Sequence, residues 1–223
     1  MGMPEYTRTV LYQLWFKLKK RPIVLPNKPY FIPSDQELAA IKPKYRNLVK
    51  LFESKKVILY QGHVSYDRDL STFVRAIKEL GSDYVFCLMG TDHGVLKEWL
   101  KIDDSIIHID FIPAPEYLLM TSLCYIGILG YNPCCLNSMF CAPNKLFEYA
   151  AFGKPMLGND IPGLQVIENK KIGKVVDESS IKSIIESIKI IEENYASYSQ
   201  NSRDFYMNTD NKEVIHKFLN KML

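Results

Sequence analysis

Several absences narrow what this 223-residue chain does. No Gly-x-Gly-x-x-Gly follows any apolar run, which weighs against a dinucleotide site of the dehydrogenase kind. No Gly-Lys-Ser/Thr loop is present either, which weighs against an ATPase. No apolar run approaches a membrane span. The formal charge is only +3, without the concentrated basic stripe of a dedicated nucleic-acid binder. Cys87, Cys124, Cys134, Cys135 and Cys141 lack paired zinc spacing, and their odd number without a secretory signal fits free thiols in a reducing cytosol. His63, His93, His108 and His216 are scattered, with neither metal spacing nor a nucleophile motif around them. No metal site is therefore expected. His108 sits inside an apolar run and reads as a core residue.

What is present is an ordinary core-forming composition, 47% hydrophobic and 24% charged, enough for one large domain or one domain with appendages. The abrupt start suggests a piece cut from something longer. Val10, Leu11, Leu14, Trp15 and Leu18 predict an amphipathic helix over Pro4 to Lys20, ending in Lys17, Lys19, Lys20 and Arg21. Its apolar stripe suits packing on its own domain; the basic end and the tryptophan would also suit a peripheral membrane contact at the inner face. Packing is the expectation. Ile23 to Leu25 reads as a strand, Pro26 to Pro29 as a turn, and Ile32 to Ser54 as a linker leading into a short helix.

From residue 55 the chain becomes regular. Short apolar strands are predicted at 57–60, 84–89, 106–112, 125–129, 155–157 and 174–176. Helices are predicted at 69–80, 95–101, 116–123, from Pro143, and near Leu164. That alternation predicts an α/β fold, a Rossmann-like parallel sheet with helices on both faces. Helices at 180–194 and 212–222 close the chain, the latter with Val214, Ile215, Phe218, Leu219 and Met222 on one face. Residues 1–54 are thus set apart from a domain at 55–223.

The stretch Ala142 to Pro155 carries the chemistry. Pro143 suits the first helical position and Gly153 the exit. Leu146, Phe147, Ala150 and Ala151 fall on one side, and Asn144, Lys145, Glu148, Tyr149 and Phe152 on the other. Neither Cys141 nor Ala142 carries an oxygen to cap the first turn, so the N–H groups of Asn144 and Lys145 form an anion seat beside a lysine. Glu148, one turn deeper, can accept from two adjacent hydroxyls such as those of a ribose. Diphosphate at the mouth and sugar behind describes a nucleotide. The plainer reading is a surface Lys145–Glu148 pair with water at the helix start.

Ligands of such sheets bind beyond the carboxyl ends of the strands. The first of those loops holds Gly62, which allows close backbone approach, and Arg68, a permanent charge suited to phosphate.

Gly62 with Arg68, Pro143-Asn144-Lys145-Leu146-Phe147-Glu148-Tyr149, Gly153-Lys154-Pro155 and Asp160-Ile161-Pro162-Gly163 together resemble the C-terminal half of a group 1 (family 4) glycosyltransferase. Leu25-Pro26-Asn27 resembles that family's crossover between domains, so residues 1–54 would lead out of an N-terminal domain. The resemblance spans roughly residues 23–194 and implies one half of a GT-B architecture that binds a UDP- or GDP-linked sugar as substrate, without a separate cofactor. It implies retaining hexosyl transfer in glycan biosynthesis. Glu148 would meet the ribose, Arg68 and Lys145 would stabilise the departing diphosphate, and Phe111, Ile112 and Pro113 would border the base. Gly62, His63, Pro143 and Asn144 would complete the nucleotide site. Two departures stand out. His63 replaces a common arginine, and Phe140 stands where the family's first glutamate touches the donor sugar. The sugar or lipid-linked acceptor would bind the N-terminal domain, leaving this chain inactive alone. A non-catalytic donor-binding subunit that works with a separate acceptor chain is the alternative. A nucleotide-sugar epimerase is a further one, although no carboxylate pair lies at the expected loops.

Overall fold

Alternation along the central strands explains how the molecule divides into layers. In the computed structural model, which describes residues 2–3 and 5–220, Val57 and Leu59 point to one face of their strand and Ile58 and Tyr60 to the other, all four almost completely buried. A strand apolar on both faces needs helices on both.

In chain order the elements are β1 (Gly2–Met3), α1 (Tyr6–Trp15), β2 (Ile23–Val24), α2 (Asp35–Ile41), α3 (Arg46–Ser54), β3 (Lys56–Gln61), α4 (Ser71–Glu79), β4 (Tyr84–Met89), α5 (Leu96–Ile102) and β5 (Ile107–Ile109). Then follow α6 (Leu118–Leu123), β6 (Ile126–Leu129), α7 (Leu136–Met139), α8 (Asn144–Ala151), β7 (Met156–Asn159), α9 (Val166–Asn169), β8 (Gly173–Val176), α10 (Ile181–Glu193), α11 (Tyr195–Asn208) and α12 (Asn211–Leu219). The main sheet runs β5-β4-β3-β6-β7-β8, with every pairing parallel. From β3 the chain builds outward to β5, then returns to the other side of β3 at β6. The switch point therefore lies between β3 and β6, where a crevice opens at the carboxyl ends. Helices α4, α5 and α10 cover one face through Phe73, Trp99 and Ile188; α3, α6, α8 and α9 cover the other through Phe52, Leu119, Phe147 and Ile167.

The predicted strand–helix alternation holds, with corrections that have physical causes. The first helix stops at Trp15 and not at Lys20, because Lys17 turns the chain with φ +48°, so the basic cluster lies beyond its end; Pro4 is outside the described residues. Its stripe does not pack as expected. Thr9 is its buried residue, while Leu14 and Trp15 are exposed. The strand at Ile23 finds a partner, β1, that the sequence did not suggest. Residues 32–54 hold two helices, α2 begun by a capping box from Ser34 and Glu37, joined by a 3₁₀ turn that accommodates Pro43. β5 ends at Ile109, so Phe111 and Ile112 leave the sheet as loop. α11 was unforeseen, since its polar sequence shows no apolar period, yet Phe205 stacks on Phe147 of α8 at 5.4 Å. The last helix buries none of Val214, Ile215, Phe218 and Leu219, and Met222 falls outside the described residues.

Helix α8 departs from its predicted two-sided division. Glu148 and Tyr149, assigned to the outer side, are buried. Gly127 of β6 is the reason. A Cβ there would stand 2.6 Å from Tyr149 ring carbons, so only glycine lets the ring lie against the strand while its hydroxyl donates to the Leu59 carbonyl at 2.9 Å. Gly127→Ala should overpack this contact and destabilise the protein by about 1–3 kcal/mol, measured by urea unfolding. A variant as stable as the parent would show that α8 is seated some other way.

Candidate functional site

Backbone geometry shapes the crevice first. Gly62 leaves β3 at φ +152° and donates to the Met89 carbonyl at 2.9 Å, and a Cβ on Gly90 (φ +145°) would sit 2.0 Å from the Gly62 oxygen. The two loops touch through backbone alone, as close approach requires. His108 secures the neighbouring strand, its Nε2 lying 2.8 Å from the Gly90 carbonyl oxygen, although it is half-buried and not the core residue expected.

Beside these loops lies a cavity of about 310 Å³. Gln61, Met89 and Gly90 come from the β3 and β4 ends, Asp110, Phe111 and Ile112 from the β5 exit, and Pro143, Asn144, Lys145 and Glu148 from α8; Tyr117 and Tyr131 complete the wall. Phe111 stands 74% exposed at its rim, whereas Ile112 is buried. Helix α8 starts at Asn144 with Pro143 as its cap residue, one position before the predicted place, because the extended Pro143 (ψ 138°) has not yet turned into the helix. No side chain caps that start. The Ala142 carbonyl just ahead accepts from Asn27 Nδ2 at 2.8 Å, so the Pro26–Asn27 turn holds the helix entrance.

Glu148 is 6% exposed and has a partner at each carboxylate oxygen. The Tyr117 hydroxyl donates to Oε1 at 2.7 Å, and Gln61 Nε2 approaches Oε2 at 3.5 Å. Gln61 is itself held by Thr121, whose hydroxyl donates to its Oε1 at 3.1 Å. Its partners are therefore Tyr117 and Gln61, and the surface Lys145–Glu148 pair of the plainer reading does not form. Tyr117 is positioned through its neighbour Glu116, which binds Lys44 at 2.6 Å and the Tyr45 hydroxyl, tying α6 to the turn before α3. Burial pushes the Glu148 pKa above its ordinary 4.5, against the pull of the Tyr117 hydrogen bond, the Lys145 charge and Gln61. Burial also lowers the Lys145 pKa, and the Arg68 charge adds to that effect while Glu148 opposes it. A desolvated ammonium that feels a second cation's charge is a seat that an anion would stabilise.

Arg68 stands apart from this cavity. Its guanidinium lies over the Tyr131 ring, 4.8 Å from the centroid, with Nη1 3.4 Å from the Tyr60 hydroxyl. Gly62, His63 and Pro113 do not line the cavity. His63 turns to His93, Nδ1 to Nε2 3.2 Å apart. Phe140 borders a separate groove with Arg8 and Trp15, its carbonyl bound by Arg8 Nε at 2.6 Å. The structure thus gathers Phe111, Ile112, Pro143, Asn144, Lys145 and Glu148 at one cavity and places Arg68 behind Tyr131. Sequence reasoning missed Tyr117, Tyr131 and Gln61. Tyr131 is the second residue after β6 and was open to discovery as a strand-end residue, whereas nothing in the chain pairs Tyr117 with Glu148.

The family model for group 1 glycosyl transferases matches residues 41–209. The chain belongs to that family. Among solved glycosyltransferase-type structures, sucrose-phosphate synthase from Thermosynechococcus elongatus superposes with a TM-score of 0.68 at 18% identity, covering 98% of this chain and 56% of that one. Anabaena HepE in complex with UDP gives 0.74 at 11%, covering 99% and 62%. Trehalose-6-phosphate synthase OtsA gives 0.65 at 11%, covering 90% and 51%. These likenesses establish the fold, a Rossmann-like half of the GT-B architecture, and this chain spans about half to three-fifths of each of those structures. No curated protein sequence matches the chain. No described helix is long and apolar enough to cross a membrane.

A raised Glu148 pKa carries a definite pH signature. The protonated form is favoured by folding, so this group's contribution to stability is present below pH 4.5 and lost as pH rises through the folded-state pKa. An NMR titration of the Glu148 carboxyl carbon should give a midpoint above 4.5, and Tyr117→Phe, which deletes a hydrogen bond to the ionised form, should move it higher. A midpoint unmoved by the substitution would remove Tyr117 from the site's electrostatics.

Proposed function

We propose that this chain binds a nucleoside diphosphate sugar and supplies the donor half of a retaining glycosyltransferase. The observation that carries the reading is the buried Glu148 carboxylate, oriented by Tyr117 and Gln61, one turn behind an uncapped helix start that also carries Lys145. A carboxylate in that place accepts from both hydroxyls of a ribose, while the first-turn N–H groups and the Lys145 ammonium take a phosphate. Phe111 and Ile112 would flank the base at the β5 exit. HepE has been solved with UDP and with UDP-glucose, which supports a UDP-linked donor; a GDP-linked one fits the same chemistry.

In the transfer, the bond between the anomeric carbon and the diphosphate oxygen breaks and negative charge grows on the leaving group. Lys145 in the cavity wall and Arg68 behind Tyr131 are the cations this reading offers it, and their stabilisation would be electrostatic, strongest where water is excluded. Gly62 and Gly90 would let the diphosphate approach the backbone. In this reading residues 1–54 carry the crossover from an acceptor-binding domain and residues 55–223 the donor site. The acceptor, a sugar or a lipid-linked sugar, is then bound outside this chain, which alone transfers little. Phe140 favours a second reading, a donor-binding subunit without catalysis, because it puts a ring where the family's first carboxylate is expected.

A thermal-shift panel of UDP, GDP and ADP tests the assignment. One nucleotide should stabilise the protein by about 2.7 kcal/mol at a hundredfold excess over its dissociation constant. Glu148→Ala should abolish that response. No response to any nucleotide, or an equal response from the variant, refutes the proposal.

A further inference from the structure

The loops after β3 and β4 stay paired beyond the strand ends. Past the contact of Gly62 with Gly90, the Val64 N–H donates to the Thr91 carbonyl at 3.0 Å and the His93 N–H donates to the Val64 carbonyl at 2.8 Å. Val64 and Asp92 thus form a parallel bridge, anchored by a completely buried Val64 side chain. His63 and His93 project from this rung, one from each loop. They lie 30 residues apart in the chain, both exposed, with His63 Nδ1 3.2 Å from His93 Nε2. We infer that these two nitrogens form a seat for one late first-row divalent cation, such as Zn²⁺ or Ni²⁺, which clips the two loops together.

The spacing of the rings is the first argument. An ion about 2.0–2.1 Å from each nitrogen, as zinc is from histidine, would see the two at roughly 100–106°, close to the tetrahedral angle. With both rings aimed at such an ion, their centroids would stand about 5.0 Å apart. A straight N–H···N hydrogen bond of the same length would hold them about 5.5 Å apart. The observed separation is 5.1 Å, with the rings inclined at 64°. The pair thus sits nearer the arrangement in which both nitrogens converge on one point.

Rigidity is the second. The His63 carbonyl accepts from the Tyr60 hydroxyl at 3.0 Å, on one side of the pair. On the other, Asp92 Oδ1 accepts from the Gly94, Val95 and Leu96 N–H groups at 3.0 to 3.1 Å. The backbone carrying both ligands is fixed before any ion arrives, so little freedom is lost on binding. Imidazole suits Zn²⁺, Ni²⁺ and Cu²⁺, whereas Mg²⁺ prefers oxygen ligands and keeps its water. No third His, Cys, Asp or Glu joins the pair in a metal-binding group among the described residues, so solvent fills the remaining positions. Affinity then rests on both histidines acting together. Without an ion, the same nitrogens share a proton.

Cys134 and Cys135 are exposed thiols that would also take such ions, so the whole chain is titrated calorimetrically with Cys134→Ser and Cys135→Ser in place. In this parent, Zn²⁺ and Ni²⁺ should each bind at one site, and Mg²⁺ should not bind. His63→Ala and His93→Ala, at exposed positions, should each weaken Zn²⁺ binding at least tenfold, since loss of an outer-shell partner alone costs about 10–100-fold. Zn²⁺ should also slow hydrogen exchange at the Val64 and His93 amides, which carry the bonds between the loops, and should not do so in either variant. Equal Zn²⁺ binding by the parent and both variants would put the ion elsewhere, and no binding by the parent would leave the pair sharing only a proton; either result overturns the inference. Normal Zn²⁺ binding with unchanged exchange at those amides would overturn the clip.

Discussion

The seating of α8 on the sheet is the constraint from which the rest of the crevice follows. Gly127 removes a side chain from β6 at the place where the Tyr149 ring must lie, and the Tyr149 hydroxyl then reaches the Leu59 carbonyl of the adjacent strand. The helix is fixed in height and rotation by a steric gap and one directional bond. Phe205 of α11 stacks against Phe147 from the far side and closes the clamp. With α8 so held, Glu148 has no freedom to reach solvent, and Lys145 faces the crevice in place of a surface partner.

Burying a carboxylate is costly unless it is hydrogen-bonded, and the structure meets that cost with a chain of neutral donors rather than a salt bridge. Tyr117 and Gln61 orient Glu148 without neutralising it. The Lys145 ammonium is thereby kept from an ion pair and left beside Arg68, a local excess of positive charge in a partly dry site. Two cations that repel each other are relieved when an anion lies between them. That arrangement fits a diphosphate better than a neutral ligand.

The layout of the sheet gives this chemistry a direction. Because the strand order reverses beside β3, loops from β3, β4 and β5 converge on one side of the switch point and loops from β6, β7 and β8 on the other. Tyr131, the second residue after β6, stands between the two groups.

Local pattern alone determined the alternation of strands and helices, because a buried parallel strand must be a short apolar run and its helix must show a 3.6-residue period. It also determined that Pro143 opens a helix with no capping oxygen before it, and that Glu148 sits one turn inside. Tertiary structure decided what surrounds those groups. That Tyr149 lies inward rather than outward depends on the missing Cβ of Gly127, and that Glu148 is tethered to Tyr117 depends on α6 being pinned by Lys44 and Tyr45. The polar α11 lacks an apolar period, and became a helix through contacts with α8 that lie some fifty residues away in the chain. Periodicity is a property of neighbours in sequence. Burial and hydrogen-bond partnership belong to neighbours in space, and the residues that bury and orient Glu148 come from segments which the linear order does not connect.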